Sequence, residues 1–381
     1  SEQKNVSVVA VALNKNGFPD IYTGGSATGG AGLLLRNNGN GTFTNVTDIA
    51  QVRSPAGVTP DAASAVDFNH DGFLDLFIDN VSSPTQTFTL LLNNGDGTFA
   101  NRSDLVTQPG FGGRIYAGAF TDIDHDGWED HVALLNNGVG VVLRNVPDVG
   151  GGRRLVALTA AQSGLSFLGP APMGIAVGDY DGDGWLDLAI TDASTGTYYR
   201  NNRGVLSRIV PFGTFFGWGT TWIDTTNKGR LDNYQAGSYG SGNIDHLRIN
   251  NANGTWTDAR AALNTTALAS QHCVRVDFDN DGLEDILTNN PLNFVSVYRN
   301  VASTTNKWFK VRLDGRSTGN ELVRTTDLAN PNGLVNRGAI GAVVRLTSGG
   351  VTQVREIISG SSFGSTEDPR AHFGLGASAT V

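Results

Sequence analysis

Short apolar runs alternate with polar, glycine-rich turns along the chain. Ser64-Ala-Val66 precedes an Asp-rich stretch, and Leu74-Asp-Leu-Phe-Ile78 follows it. Phe88-Thr-Leu-Leu-Leu92 comes next, then the turn Asn93-Asn-Gly-Asp-Gly97, and Thr98-Phe99 opens a fourth run. Asn-Gly and Asp-Gly between β-type runs are strong short-range hairpin signals. The turn recurs at Asn37-Asn-Gly-Asn-Gly-Thr-Phe43 and at Asn250-Asn-Ala-Asn-Gly-Thr-Trp256. Each repeat therefore predicts four short antiparallel strands, the unit of a propeller blade. No amphipathic helix of useful length interrupts them.

The Asp-rich stretch between the first two runs of a repeat reads Asp-x-Asp/Asn-x-Asp-Gly-x-x-Asp. It occurs at Asp67 to Asp75, Asp122 to Asp130, Asp179 to Asp187 and Asp277 to Asp285. Two eroded copies run from Ala12 to Asp20 and from Asp224 to Asp232. The first positions are thus 12, 67, 122, 179, 224 and 277, with steps of 55, 55, 57, 45 and 53. At roughly 55 residues per repeat, the chain length predicts an all-β, seven-bladed propeller of four-stranded antiparallel blades. Residues 1–305 supply six blades. Residues 306–381, which have no Asp-rich loop, are expected to form the seventh from Gly341–Leu346 and Val351–Ile358. Residues 322–334 look like an insertion before them.

Oxygen at every second position, on a chain that then turns sharply, suits a hard cation with bonds of about 2.3–2.6 Å. Glycine at the sixth position permits the turn. Four calcium sites are expected. Their side-chain ligands are Asp67, Asn69, Asp71 and Asp75; Asp122, Asp124, Asp126 and Asp130; Asp179, Asp181, Asp183 and Asp187; and Asp277, Asp279, Asp281 and Asp285. The carbonyls of Phe73, Trp128, Trp185 and Leu283 are the expected seventh-position ligands. The first loop keeps Asn14, Asn16 and Asp20 but has Ala12, which predicts weak occupancy. The fifth has Thr226 and Lys228 at ligand positions, which predicts no calcium. Lys228 is expected to bridge Asp224 and Asp232 and pin the loop in the metal's stead.

Composition changes the picture little. Glycine is 50 of 381 residues and proline only 12, which suits many tight turns rather than disorder. The net charge of −9 is concentrated in the loops, and four divalent ions would bring it near neutrality. No Lys/Arg cluster marks a nucleic-acid surface. No run reaches the ~18 apolar residues of a membrane span, and no signal peptide is present. Loops of this kind work where calcium is plentiful, so a secreted or cell-surface location is expected. The lone cysteine, Cys273, is expected to be a buried thiol. Asn-x-Ser/Thr at Asn5, Asn40, Asn45, Asn80, Asn101, Asn253 and Asn264 reflects turn composition.

The repeats resemble the FG-GAP/VCBS repeats of integrin α-subunit propellers and of many secreted bacterial proteins. Phe43-Thr-Asn-Val-Thr-Asp48 and Gly217-Trp-Gly-Thr-Thr-Trp-Ile-Asp224 look like the repeats of cartilage acidic protein and its bacterial relatives. Asn336-Arg-Gly-Ala-Ile-Gly-Ala-Val-Val-Arg345, Gln353-Val-Arg-Glu-Ile357, Gly360-Ser-Ser-Phe363 and Asp368-Pro-Arg-Ala-His-Phe-Gly-Leu-Gly376 resemble the ASPIC/UnbV segment that ends such proteins. The resemblance implies a calcium-binding, extracellular, seven-bladed propeller and no particular ligand. Two departures stand out, the insertion near 322–334 and a chain that stops at Val381, where the family continues with another strand. They imply a seventh blade short of a strand, or a piece of a longer protein.

Other chemistry is sparse. His70, His125, His131, His246, His272 and His372 show no transition-metal spacing, and His70 and His125, at fourth loop positions, are expected to point outward. No G-x-S-x-G elbow or Walker sequence occurs, and Gly24–Gly30 reads as a turn. Trp128 and Trp185 are expected to cap blade packing. Phe215, Phe216, Trp218 and Trp222 fit either inter-blade core or an aromatic wall for a sugar or apolar ligand. Three functions stay open: a binding or adhesion module for protein or glycan with structural calcium, a lyase- or cyclase-like enzyme with its site in the central channel, and a matrix or filament subunit. Propeller enzymes draw catalytic groups from separate blades, so motifs alone do not separate the three.

Overall fold

The computed structural model describes residues 7–24, 32–55, 58–81, 86–108, 115–165, 168–211, 216–237, 245–263, 270–290, 294–315, 336 and 338–378. The insertion expected at 322–334, the sequons at Asn5 and Asn264, Phe215 and nearly all of Gly24–Gly30 lie outside them.

Five four-stranded antiparallel meanders and one three-stranded meander form the blades. Blade I comprises Val8–Val11, Asp20–Thr23, Leu33–Asn37 and Phe43–Asn45. Blade II comprises Thr59–Val66, Asp75–Val81, Phe88–Asn93 and Phe99–Asn101. Blade III comprises Ile115–Thr121, Asp130–Leu135, Gly140–Pro147 and Arg153–Ala157. Blade IV comprises Gly174–Gly178, Asp187–Thr191, Thr197–Asn202 and Val205–Pro211. Blade V comprises Gly217–Ile223, Asp232–Gly237, His246–Asn250 and Trp256–Asp258. Blade VI comprises His272–Val276, Asp285–Asn290 and Phe294–Tyr298. Each Asp-rich loop joins the first strand of a blade to the second, and the first strands of successive blades lie side by side around one axis.

Most blades are covered on both faces, so their strands are apolar without a strict period of two. Every residue of Asp130–Leu135 is buried. Phe77, Phe88, Phe120 and Leu143 pack between blades II and III. Val132, Ile175, Leu188 and Tyr199 pack between III and IV. Ile223, Tyr234, Cys273 and Ile286 pack between V and VI. Trp222 stacks with Tyr180 and Tyr198 between IV and V, so of the two readings of the aromatic run this residue belongs to the core.

Among the described residues the structure has six blades, not seven. The described residues of 306–381 do not make a further meander. Lys307–Val311 pairs with the distant Ala371–Gly376, with Phe309 opposite Phe373. Among the described residues Val343–Ser348 pairs only with Val351–Glu356, through the left-handed Gly349 and Gly350. Dividing length by the period miscounted, because this segment's strands form one separate hairpin and one pair across long sequence separation instead of a four-stranded meander.

From Glu356 to Glu367 the segment enters the propeller axis as a narrow loop. The loop is closed by Ser361 and Ser365, which exchange N–H···O bonds of 2.8 and 3.1 Å. It reaches the first strand of every blade. Ala65 N–H donates to Ser359 Oγ at 3.3 Å, and Thr121 Oγ1 to Glu356 Oε2 at 2.7 Å. Ile175 and Ser362 exchange backbone bonds of 2.9 and 2.6 Å. Thr221 Oγ1 donates to Glu367. Cys273 N–H donates to Ser362 Oγ at 3.4 Å, and Val8 N–H to the carbonyl of Gly364 at 3.4 Å. Gly219 of blade V leaves room for this loop, since a Cβ there would stand 2.5 Å from Ser362 Oγ.

Candidate metal loops and their surroundings

The six Asp-rich loops share one backbone form. The fourth position is left-handed throughout, at Lys15, His70, His125, Gly182, Asn227 and Asn280, and so is the glycine at the sixth. The first carboxylate accepts that glycine's N–H: Gly72 to Asp67 at 3.1 Å, Gly127 to Asp122 at 3.0 Å, Gly184 to Asp179 at 3.1 Å and Gly282 to Asp277 at 3.1 Å. The fifth-position oxygens of Asp71, Asp126, Asp183 and Asp281 accept the N–H groups of Phe73, Trp128, Trp185 and Leu283 at 2.8–3.0 Å. These local bonds curl the loop and turn its carboxylates towards one point.

Among the described residues three acidic groups result. Asp122, Asp124 and Asp126 converge, as do Asp179, Asp181 and Asp187, and Asp277, Asp279 and Asp285, each with ligand oxygens within 4.8 Å of one another. Asp130, Asp183 and Asp281 stand outside these threesomes. In the loop from Asp67 to Asp75, Asn69 Nδ2 donates to Asp71 Oδ2 at 2.9 Å. Burial, assisted by neighbouring carboxylates, pushes Asp67 and Asp122 up to about 7, Asp179 to about 6 and Asp187 to about 9. Asp124 Oδ1 and Asp277 Oδ1 are buried without a hydrogen-bond partner. Crowded carboxylates with orphaned oxygens are the donor set a hard cation satisfies, so the loops fit a metal ion.

Cationic side chains that the sequence reading passed over also meet these acids. Arg144 contacts Asp124 and lies 3.2 Å from Asp130. Arg200 binds Asp181 and Asp183 at 2.7 and 2.8 Å. Arg299 binds Asp279 and Asp281 at 2.7 and 3.4 Å. Lys310, from the C-terminal segment, contacts Asp277. The signal was present as a recurring Arg-Asn pair at 36–37, 144–145, 200–201 and 299–300. In the fifth loop Lys228 contacts Asp232 through its ammonium, whereas Asp224 is held by the backbone N–H groups of Lys228 and Gly229 at 2.9 and 2.6 Å. The expected double bridge is therefore divided between side chain and backbone.

Successive loops also grip one another. His70 stacks on Trp128 with centroids 3.9 Å apart, and His125 on Trp185 at 3.8 Å. Lys15 takes the same place over Phe73, 3.5 Å from the ring centre. The two histidines thus lie against the next blade's loop, His125 exposed to solvent as expected and His70 half-buried, because the left-handed fourth position swings the side chain sideways. His70 Nε2 additionally lies 3.2 Å from Glu129 Oε2.

The channel holds buried charge. Arg275 of blade VI reaches Glu284 at 2.8 Å and Glu367 at 2.9 Å. Burial raises the Glu284 carboxyl, but His372, Arg275 and the Asp224 N–H outweigh it and hold the group at about 2. Phe363, at the loop's tip, packs edge-on against Trp218 at 4.8 Å, with Tyr116 at 6.0 Å and His272 at 5.0 Å. Phe216 lies 6.0 Å from Trp218. These rings gather at the end of the channel away from the acidic loops.

Comparison with known proteins agrees with this architecture. The FG-GAP-like repeat family matches residues 12–78, and the ASPIC and UnbV family matches residues 333–381. No curated protein matches the chain. An Agrocybe aegerita lectin that recognises non-reducing terminal N-acetylglucosamine is similar in structure, with TM-score 0.51, 19% identity, and coverage of 78% of this chain and 81% of that one. A lectin from Burkholderia pseudomallei gives TM-score 0.50 and 13% identity, over 73% of this chain and 76% of its own. At such identity the likeness concerns the fold alone. The chain is a β-propeller that carries an FG-GAP-like repeat over residues 12–78 and ends in an ASPIC and UnbV segment over residues 333–381.

Proposed function

We propose that this protein is a secreted or cell-surface binding module for a glycan or protein ligand, with calcium as a structural ion. One observation carries the reading. The axis, where a propeller enzyme would bring groups from separate blades together, is taken by the chain's own residues 356–367, which bond the first strand of every blade. Recognition then falls to the surface. The half-buried Tyr116, Phe216 and Trp218 around Phe363 suit stacking on a sugar or apolar group.

In this reading calcium is held by the four full loops at the residues expected from sequence, Asp67 to Asp75, Asp122 to Asp130, Asp179 to Asp187 and Asp277 to Asp285. The ion would neutralise crowded carboxylates and supply no chemistry to a substrate. The first loop, with Asn14, Asn16 and Asp20, would be a weak site.

A glycan array run beside a pull-down from the source's extracellular fraction tests the reading, with calcium and with chelator. The expected result is a saturable ligand that is lost when chelation loosens the loops. Turnover of a bound glycan, or undiminished binding in a Trp218→Ala, Tyr116→Ala protein that keeps its melting temperature, would count against it.

A further inference from the structure

The last full loop, from Asp277 to Asp285, differs from the other three in what stands beside it. In earlier blades the next blade's loop leans on the fourth position, as Trp128 does on His70 and Trp185 on His125. Here the C-terminal segment takes that place. Arg370 donates to Asn280 Oδ1 at 2.7 Å and to the Asp277 carbonyl at 3.1 Å. Trp308 packs so closely on Gly282 that a Cβ there would clash with the indole. Lys310 sets its ammonium on the Asp277 carboxylate.

The lysine sets this loop apart. Among the described residues the first carboxylates of the other full loops, Asp67, Asp122 and Asp179, meet backbone N–H groups and no cation. Arg299 meets later acids of the last loop much as Arg144 and Arg200 do in theirs, so it makes no such distinction. Asp277 Oδ2 takes both the Gly282 N–H, at 3.1 Å, and the Lys310 ammonium, while Oδ1 is buried without a partner. An ion on Oδ1 would therefore share one carboxylate with an ammonium. The two side chains are only 1% and 11% exposed, so solvent screens little of the repulsion between these like charges.

The fifth loop shows the simpler case. Its acids at the third and fifth positions are replaced by Thr226 and Lys228, and Lys228 contacts Asp232 from within the loop. The last loop keeps every acid and draws its lysine from the C-terminal segment, so two cations have a claim on it. We propose that Lys310 and calcium compete for Asp277, and that this loop takes up its ion last, as the ammonium lets go. The inference rests on the calcium reading above. Coupling of this kind is reciprocal. An ion in this loop weakens the hold of the strand pair Lys307–Val311 and Ala371–Gly376 on blade VI, a link the other three loops lack.

Calorimetric titration of the full chain with calcium should resolve three ions and a fourth bound about tenfold more weakly. Asp279→Ala with Asp281→Ala should abolish the weak step, which assigns it to this loop. Lys310→Met should bring the fourth ion to the affinity of the others, whereas Lys310→Arg keeps the charge and should leave it weak. A second measurement needs no variant. Acylation of Lys310 by an amine reagent, read by mass spectrometry, should rise several-fold as the fourth ion binds, while that of the exposed Lys307 stays level. Four equal affinities overturn the proposal. So does a weak step that survives Lys310→Met, or a Lys310 whose labelling ignores calcium. Absence of any calcium uptake would overturn the calcium reading itself, and the competition with it.

Discussion

Asn201 donates its side-chain amide to the carbonyl of Ile123, 2.8 Å away in the loop of the preceding blade. The same residue donates to its own loop's Leu186 carbonyl at 3.2 Å, and its N–H meets Asp187 Oδ1 at 2.8 Å. The arrangement recurs. Asn93 reaches Leu13, Asn145 reaches Phe68, Asn250 reaches Tyr180 and Asn300 reaches Thr225. Each loop is thus tied to the one before it. The Asn37 amide donates instead to Pro19 of its own loop, while its Oδ1 accepts from Gly39 N–H and its N–H meets Asp20 Oδ1. Asn201→Ala leaves several buried groups unsatisfied and should cost about 3 kcal/mol, whereas Asn37→Ala should cost under about 1 kcal/mol. Urea unfolding of the two variants measures the contrast; equal losses would show that the inter-blade bond contributes nothing.

Removing metal should act on the same elements. With free calcium about tenfold above Kd, each loop adds roughly 1.4 kcal/mol, so four loops together are comparable with a domain's net stability. Chelation should lower the melting temperature strongly. Titration calorimetry should count four ions, and Thr226→Asp with Lys228→Asp should add a fifth. A melt indifferent to chelator would remove the structural role.

The axial loop should behave as core. Phe363 is 2% exposed, and Phe363→Ala should destabilise the protein by about 3–5 kcal/mol. The check is the denaturation midpoint. A loss below about 1 kcal/mol would mean that the loop rests loosely in the channel.

Cys273 should resist thiol reagents in the native state. It is 1% exposed, and burial pushes its thiol well above the usual range. Labelling by a chromogenic disulfide should proceed only at the rate of opening or unfolding, and rapid stoichiometric labelling of native protein would contradict the packing between blades V and VI.

Acid should weaken the contacts that Glu284 makes with Arg275 and with the Asp224 N–H of blade V. Glu284 is held at about 2 from its ordinary 4.5. A carboxylate whose pKa is depressed on folding stabilises above its unfolded value and loses that contribution as pH falls through the folded one. Stability should therefore decline from about pH 4.5 towards pH 2, and less so in Glu284→Gln. Parallel acid-unfolding curves for the two proteins would exclude this pair as the cause.

The sequence by itself determined the blade. Leu74 to Ile78, Phe88 to Leu92 and the turn at Asn93–Gly97 became consecutive strands because each pairing joins neighbours through a short turn whose residues dictate its geometry. The acidic loops were legible for the same reason: their hydrogen bonds lie within nine residues, so composition and spacing alone position Asp122, Asp124 and Asp126. Tertiary structure decided the rest. Whether 306–381 makes a blade or enters the axis depends on Lys307–Val311 choosing Ala371–Gly376 over the adjacent Phe294–Tyr298. That choice is between partners of similar local propensity, and contacts far apart in sequence settle it. The clasp from Asn201 to Ile123 and the stack of His125 on Trp185 lie across blade boundaries, where no local pattern reports which face a side chain meets.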